Sequence, residues 1–385
     1  MPLLARSELE ALVEPRPGPH VSIFMPTRRA APERQQNPID LKNLIRQTEA
    51  KLAARGLRTS QTEPLLRPAR LLVEHPRLWE RPGDGLALFA APGFFREYHL
   101  PLRMEQLAMV SARFHLKPLL PAFAASMRFY VLALSQEAVR MFACTPVTVT
   151  AVALEGVPTS LAEALHYDDP QNQIQFHSTR SANTAGRGGA MFHGHGAAAA
   201  DVKRNLLCYF QQVDDGVRRV LKEPRAPLVL AGVEYLLSIY RAASSYSGLL
   251  ERGVEGNPEL LSGQELQQRA WEMVRPVYDK RREIAVERYH RLASTSRQAT
   301  DDLETVVRAA YQGRVDTLWV SREAHRWGRF DPATDRVELR EAPGPEEEDL
   351  LDFAAVYSLL NHGTVHVVAP EQVPDEAEAA AIFRY

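Results

Sequence analysis

The sequence predicts a mixed α/β protein of three domains, spanning residues 1–125, 126–274 and 275–385. Three observations predict it. A chain of 385 residues exceeds one ordinary domain, and at roughly 100–200 residues each, two or three are expected. Short runs of β-branched and aromatic residues alternate with longer stretches whose apolar residues recur every third or fourth position, the pattern of strands and helices packed in layers. Hydrophobic residues make up 45% of the chain, enough for packed cores and too many for wholesale disorder.

In the first domain, Ser7 is placed to cap a short helix over 8–13. Val21-Ser22-Ile23-Phe24-Met25 reads as a strand ended by Pro26, and a polar loop follows at 27–38. Leu41, Leu44, Ile45 and Leu52 recur at helical spacing within 39–55, and Gly56 stops that helix. Strands are predicted at 86–90 and 97–102, around Pro92-Gly93. The proline-bearing stretch 115–121 reads as the linker that ends the domain.

The second domain opens with a hairpin, 129–134 and 139–144, and a third strand within 147–154. A long polar stretch, 168–199, has no clear pattern. An amphipathic helix over 202–221, a buried strand at 228–231 and a helix at 234–243 complete it. The third domain, read as a compact α/β sandwich, begins with a charged helix over 278–292 and a second helix over 301–311 closed by Gly313. A strand at 315–320 precedes a hairpin, 327–330 and 337–339, across Asp331-Pro332-Ala333-Thr334. A helix at 349–360, stopped by Asn361-His362-Gly363, leads to a last buried strand at 364–368. There is no internal repeat.

The charge total, 46 Lys+Arg against 48 Asp+Glu, argues against a nucleic-acid binder until the charges are placed. Between Arg28 and Arg70 there are ten Lys/Arg and four Asp/Glu, an excess of +6. Between Asp331 and Glu378 there are two Arg and thirteen Asp/Glu, an excess of −11. The balance is the sum of a basic front and an acidic rear. The first suits a phosphate backbone, and the second suits a basic protein surface or plain solvation. Two cysteines, Cys144 and Cys208, support neither a disulfide framework nor a cysteine zinc module and are expected at or near the core. The charged start of the chain lacks the apolar run of a signal peptide, and no charge-free stretch is long enough to span a bilayer. A soluble cytoplasmic protein with no membrane contact is expected.

The stretch 168–199 carries the functional expectation, because loops of that length inside a compact domain are functional or disordered. Its centre reads Thr184-Ala185-Gly186-Arg187-Gly188-Gly189-Ala190-Met191-Phe192-His193-Gly194-His195-Gly196. Five glycines in eleven residues permit positive φ and close backbone approach, and Arg187 among them has nothing local to pack on, so it is assigned to RNA phosphate. A flexible insertion is the plain alternative.

Gly186-Arg187-Gly188-Gly189 resembles the Gly-Arg-Gly-Gly-Gln loop of archaeal and eukaryotic class-1 release factors, which lies between a β-hairpin unit and a long helix of an RNase H-like central domain. The order here is the same. The third domain is similar to that of the same superfamily, which includes Pelota, in its charged helix 279–292, in Asp302-Leu303-Glu304 and Ala309-Ala310-Tyr311-Gln312-Gly313-Arg314-Val315-Asp316-Thr317-Leu318, and in Asn361-His362-Gly363-Thr364-Val365. Val21-Ser22-Ile23-Phe24-Met25-Pro26-Thr27-Arg28 and Gln36-Asn37-Pro38-Ile39-Asp40-Leu41-Lys42-Asn43-Leu44 resemble a bacterial branch.

The resemblance implies a three-domain release-factor-like fold with an RNase H-like centre, and a ribosome-binding factor acting at the A site in rescue, hibernation or termination-like quality control. Ribosomal RNA and peptidyl-tRNA are the implied partners, with a translational GTPase on the acidic third domain. No cofactor and no metal are implied. Gly188 and Gly189 match the family's two glycines, but Ala190 stands where the glutamine places water, and alanine has no side-chain donor or acceptor. The catalytic candidates are therefore Gly188, Gly189 and the backbone N–H of Ala190, which can still donate to an oxyanion. Gln171, Gln173 and Gln175 lie in the same loop but not at the motif position. The RNA-binding candidates are Gly186, Arg187, Gly188, Gly189, His193 and His195 in the loop, and Arg28, Arg29, Arg34, Lys42 and Arg46 in the basic front. Stop-codon-reading motifs have no counterpart in 1–125.

Other chemistries find less support. His193-Gly194-His195 with His177 offers zinc or nickel ligands, but no matched carboxylate accompanies them, and polar loop histidines near RNA are the simpler reading. A nuclease would cluster acids for Mg²⁺; Asp168, Asp169 and Asp201 sit in or beside the loop, while the strands 129–134 and 139–144 carry no Asp or Glu. Walker, nucleophile-elbow and dinucleotide motifs are absent from the sequence. Trp319 and Trp327 are expected to pack, and Arg218 and Arg219 to meet the dipole of the helix they end.

Overall fold

The structure, a computed structural model, describes residues 6–28, 30, 32–75, 78–80, 83–123, 127–135, 137–146, 148–158, 160–168, 195–221, 226–342, 344 and 347–385. The fold is mixed α/β, with four sheets among the described residues. It divides into two compact units, one of Met127–Tyr278 and one joining Pro2–Ser126 to Asp279–Tyr385.

The N-terminal segment begins with α1 (Arg6–Val13) and β1 (His20–Pro26), followed by α2 (Gln36–Ala54) and α3 (Thr59–Val73). Then come β2 (Gly85–Ala91), β3 (Phe94–Leu100), β4 (Leu107–Ser111) and the short α4 (Leu120–Phe123). The sheet order is β3-β2-β1-β4, every pair antiparallel. Period-two alternation decides its faces. Val21, Ile23 and Met25 of β1, with Leu86, Leu88 and Ala90 of β2, turn to α2 and α3 and meet Leu41, Leu44, Ile45 and Leu66. Phe24, Ala87, Phe89 and Ala91 turn to the opposite face. Gly56 ends α2 at φ +82°, a value that costs glycine little.

The central unit is built on β5 (Phe129–Leu134), β6 (Val139–Cys144), β7 (Val149–Val152), α5 (Leu161–Asp168), α6 (His195–Val220), β8 (Leu228–Gly232), α7 (Glu234–Ala243), β9 (Val254–Glu255) and the start of α8 (Gly263–Thr295). Its sheet runs β7-β6-β5-β8-β9, with β5–β6–β7 antiparallel and β5–β8–β9 parallel. Tyr130, Leu132, Leu134, Leu228 and Leu230 face Leu206, Tyr209, Phe210, Val213 and Val217, the i, i+3, i+4, i+7 and i+11 stripe of α6. Phe129, Val131, Ala133, Val229 and Ala231 face Leu266, Ala270 and Val274 of α8.

The C-terminal segment continues α8 and adds β10 (Ala299–Thr300), α9 (Leu303–Tyr311), β11 (Val315–Ser321), β12 (Trp327–Asp331), β13 (Arg336–Arg340), β14 (Glu348–Asp349), α10 (Leu350–Leu360), β15 (Thr364–Val368) and β16 (Ala379–Phe383). One sheet runs β10-β16-β11-β15 with β11 and β15 parallel; a smaller one runs β13-β12-β14. Trp319, Ala380 and Ile382 face Tyr289 of α8, while Leu318, Val320, Ala379, Ala381 and Phe383 face α9 and α10. That second face belongs to the same apolar cluster as Leu9, Leu12, Phe24, Phe89, Phe114, Leu116 and Leu119. The two ends of the chain thus share a core. The division at 125 and 274 read from the sequence says where the chain is cut; the shared core says which pieces pack together.

Several expectations are corrected. The stretch 115–121 is not a linker: Leu116, Leu119 and Leu120 are core residues, and His115 and Lys117 are buried. Residues 195–199 are helical, the first turns of α6, and the rest of the polar stretch, 169–194, lies outside the described residues. Strand 364–368 is not the last, because alanine-rich β16 follows and pairs with β11; its small side chains masked a strand. The helix read over 278–292 starts at Gly263, where Ser262 and Glu265 form a capping box: Ser262 N donates to Glu265 Oε2 at 2.9 Å and Glu265 N to Ser262 Oγ at 3.3 Å. Helix α3 escaped the reading because Pro64 and Pro68 lie inside it; burial of Leu65, Leu66 and Ala69 outweighs the lost backbone hydrogen bonds. Cys144 is buried, which pushes its thiol up to about 12, whereas Cys208 is exposed, not near the core. Among the described residues no helix is long and apolar enough to cross a membrane.

Candidate functional site

The sequence-predicted site falls into two groups, one in each unit. In the central unit α5 ends at Asp168 and α6 begins at His195. The calls on Gly186, Arg187, Gly188, Gly189, Ala190 and His193, with His177, the three loop glutamines and Asp169, lie outside the described residues. What the structure supplies is the frame. The stretch leaves and returns between two helices, and α6 is seated on the sheet by five buried side chains. His195 opens α6 and Asp201 lies within it.

In the other unit the basic candidates surround the β1–α2 connection. The side-chain amide of Asn37, a buried residue, grips Arg28 from both sides: Arg28 N donates to Asn37 Oδ1 at 3.0 Å, and Asn37 Nδ2 donates to Arg28 O at 3.1 Å. The Arg28 guanidinium pairs with Asp40 at 2.7 Å, and Gln36 Nε2 donates to the other Asp40 oxygen at 3.0 Å. The Gln-Asn-Pro-Ile-Asp sequence therefore pins the loop to the first turns of α2, and Arg28 spends much of its charge on Asp40. Lys42 and Arg46 are exposed at i, i+4 on α2, one turn beyond half-exposed Ile39. They present a cationic stripe to solvent. Arg34 is partly exposed beside it, and Arg29 lies outside the described residues.

The acidic rear has a structure that the charge count does not convey. Of its thirteen acids, Glu348, Asp349 and Asp352 are buried. They meet Arg113, His115 and Lys117 from the N-terminal segment, so part of the acidic charge is met inside one unit by residues outside the basic 28–70 stretch. Arg113 Nε lies 3.3 Å from Glu348 Oε2, and Arg113 also donates to the Tyr357 hydroxyl at 2.6 Å. Lys117 Nζ lies 3.5 Å from Asp349 Oδ2 and donates to Ala324 O. Asp352 Oδ1 accepts the backbone N–H groups of Leu116, at 2.7 Å, and Lys117. Asp349 caps α10 by accepting Leu351 N at 3.1 Å, and its other oxygen lies 2.7 Å from His325 Nδ1.

These contacts set the titration of the cluster. Burial pushes the Asp352 carboxyl up to about 8, with the Asp349 charge adding and the two N–H donors opposing. Burial likewise raises Glu348 to about 7, against the pull of Arg113. Burial also works on Asp349, yet the His325 hydrogen bond and the Lys117 ammonium hold it well below the usual carboxylate range. His115 is driven down to about 3 by burial and stays neutral. Sequence reasoning missed this cluster because its members are far apart in the chain. The one available signal was Glu347-Glu348-Asp349 directly before an apolar helix, too many acids for a cap alone.

Residues 129–276, which lie within the central unit, match the family model of Bacterial archaeo-eukaryotic release factor family 7. Among solved structures, the chain is similar over 98% of its length to an archaeal translation termination factor, aRF1, with 15% identity, 96% of that chain covered and a TM-score of 0.22. It is similar over 98% of its length to archaeal Pelota in a model bound to the ribosome with ABCE1, with 13% identity, 94% covered and a TM-score of 0.37. It is similar over 78% of its length to Archaeoglobus fulgidus Pelota, with 11% identity, 79% covered and a TM-score of 0.27. No curated protein matches the chain.

Proposed function

We propose that this protein is a cytoplasmic, ribosome-associated translation factor that occupies the A site in rescue, hibernation or termination-like quality control. The observation that carries the reading is the release-factor family match over 129–276, within which Gly186-Arg187-Gly188-Gly189 stands between α5 and α6. In this reading the central unit is RNase H-like, the three sequence-defined domains follow the release-factor plan, and Arg187, with His193 and His195, contacts RNA. Lys42 and Arg46, with Arg28 and Arg34 beside them, form a second phosphate-binding surface, to which Arg29 is assigned from the sequence alone. The exposed acids of the C-terminal segment receive a translational GTPase.

Ribosome co-sedimentation across a salt series tests the binding. Each phosphate contact contributes about 0.7–0.9 to the logarithmic salt slope, so Lys42→Ala with Arg46→Ala is expected to lower it by roughly 1.4–1.8. Absence of the unaltered protein from the ribosomal fraction even at low salt would defeat the reading.

Peptidyl-tRNA hydrolysis is the finer question. Ala190 lacks the glutamine side chain that positions water, so the protein is expected to bind without robust release, and Ala190→Gln to restore part of it. The measurement is peptide release from stalled ribosomes. Robust release by the unaltered chain establishes the second reading, a release factor that uses the Gly188-Gly189 backbone and the Ala190 N–H as oxyanion donors.

A further inference from the structure

His115 is the most anomalous polar side chain of the buried cluster. It is 3% exposed, and neither ring nitrogen has a hydrogen-bond partner. A buried imidazole with both nitrogens orphaned loses the hydration of two polar atoms and gains nothing in return, a cost of about 1–3 kcal/mol for each. Its surroundings are ligands. Nδ1 lies 3.4 Å from Asp352 Oδ1 and 3.8 Å from Asp349 Oδ2, and the His325 ring is 5.4 Å away between centroids. His325 Nδ1 is 2.7 Å from that same Asp349 oxygen. One donor atom each from His115, His325 and Asp349 lies within 4.8 Å of the others.

We propose that His115, His325 and Asp349 form a structural site for a divalent transition-metal ion of the zinc class, with Asp352 beside it holding the backbone of the segment that carries His115. Zinc bonds to nitrogen and carboxylate oxygen are about 2.0–2.1 Å, so donors on a tetrahedron stand about 3.3 Å apart. The two separations from Asp349 Oδ2, 2.7 Å to His325 Nδ1 and 3.8 Å to His115 Nδ1, lie on either side of that edge. Two imidazoles with a carboxylate select zinc-like ions over calcium or magnesium, which take oxygen. Lys117 already stands 3.5 Å from Asp349, so the Asp349 carboxylate faces both an ammonium and the ion. His325 is partly exposed and supplies the entry path, and its far face stacks on Trp327 at 5.9 Å between centroids. The three donors come from both ends of the chain, so the ion ties the segment after β4 to β14 and the residues before β12. The site is distinct from His177, His193 and His195.

The test uses the full chain, stripped of metal and titrated with Co²⁺ as a visible probe, then with Zn²⁺ in competition. One equivalent of Co²⁺ with d–d absorption, displaced by Zn²⁺ and accompanied by a rise in Tm, is expected. His325→Ala, at a part-exposed position that leaves the core intact, is expected to weaken binding more than about tenfold. His290→Ala, altering an exposed histidine 3.5 Å from Asp375, is expected to leave it unchanged. No stoichiometric binding, which would assign the space to a buried water, or equal binding by His325→Ala, which would assign the ion to the loop histidines, overturns the proposal.

Discussion

Replacing Asp352 by alanine is expected to destabilise the unit formed by the two chain ends by about 2–5 kcal/mol, the cost of stranding two buried donors. The carboxyl group accepts two buried backbone N–H groups, from Leu116 and Lys117. Alanine strands both donors, while the Lys117 ammonium keeps its pair with Asp349. Asp352→Asn keeps an acceptor at the same place and is expected to cost less than half as much. Urea unfolding followed by tryptophan fluorescence reads this unit well, because Trp79, Trp319 and Trp327 lie in it and only Trp271 lies in the other. If Lys117 and Asp352 form one network, Lys117→Met combined with Asp352→Ala costs clearly less than the sum of the two. A loss below about 1 kcal/mol for Asp352→Ala would show that the segment after β4 is held by its leucines alone.

The reading of local structure succeeded where one physical signal dominated. Leu41, Leu44, Ile45 and Leu52 announced α2 by their helical spacing, and the unbroken apolar run 129–134 announced β5, a strand buried on both faces. It failed where tertiary contacts overrule the local signal. Pro64 and Pro68 hid α3, and Ala379-Ala380-Ala381 hid a central strand. The candidate site was legible only as a string of glycines with an arginine, which is a statement about backbone freedom and charge. The cluster of His115, Lys117, His325, Asp349 and Asp352 was invisible for another reason. Its chemistry exists only once residues more than two hundred positions apart are brought within 4 Å, and no local pattern records that. The charge count misled for the same reason: an acidic run was read as surface, and part of it is interior.

Expressed without the C-terminal segment, residues 1–126 are expected not to fold cooperatively. One face of the β3-β2-β1-β4 sheet is covered by its own α2 and α3. The other presents Phe24, Ala87, Phe89 and Ala91 to a cluster completed by Val306, Leu318, Phe353 and their neighbours from the far end of the chain. Removing those partners exposes a contiguous apolar face and strands Lys117 and Arg113 without Asp349 and Glu348. The expected product is compact but loosely packed, with native-like far-UV dichroism, weak near-UV signal, dye binding and no sharp thermal transition. Residues 127–278 keep both of their apolar clusters and are expected to unfold cooperatively by themselves. Calorimetry of the two fragments decides between two pictures. If 1–126 shows a sharp transition of its own, the three domains read from the sequence are also the units of folding. If only 127–278 does, the chain is one central unit inserted into another that closes from its two ends, and the buried ion cluster is where that closure is fastened.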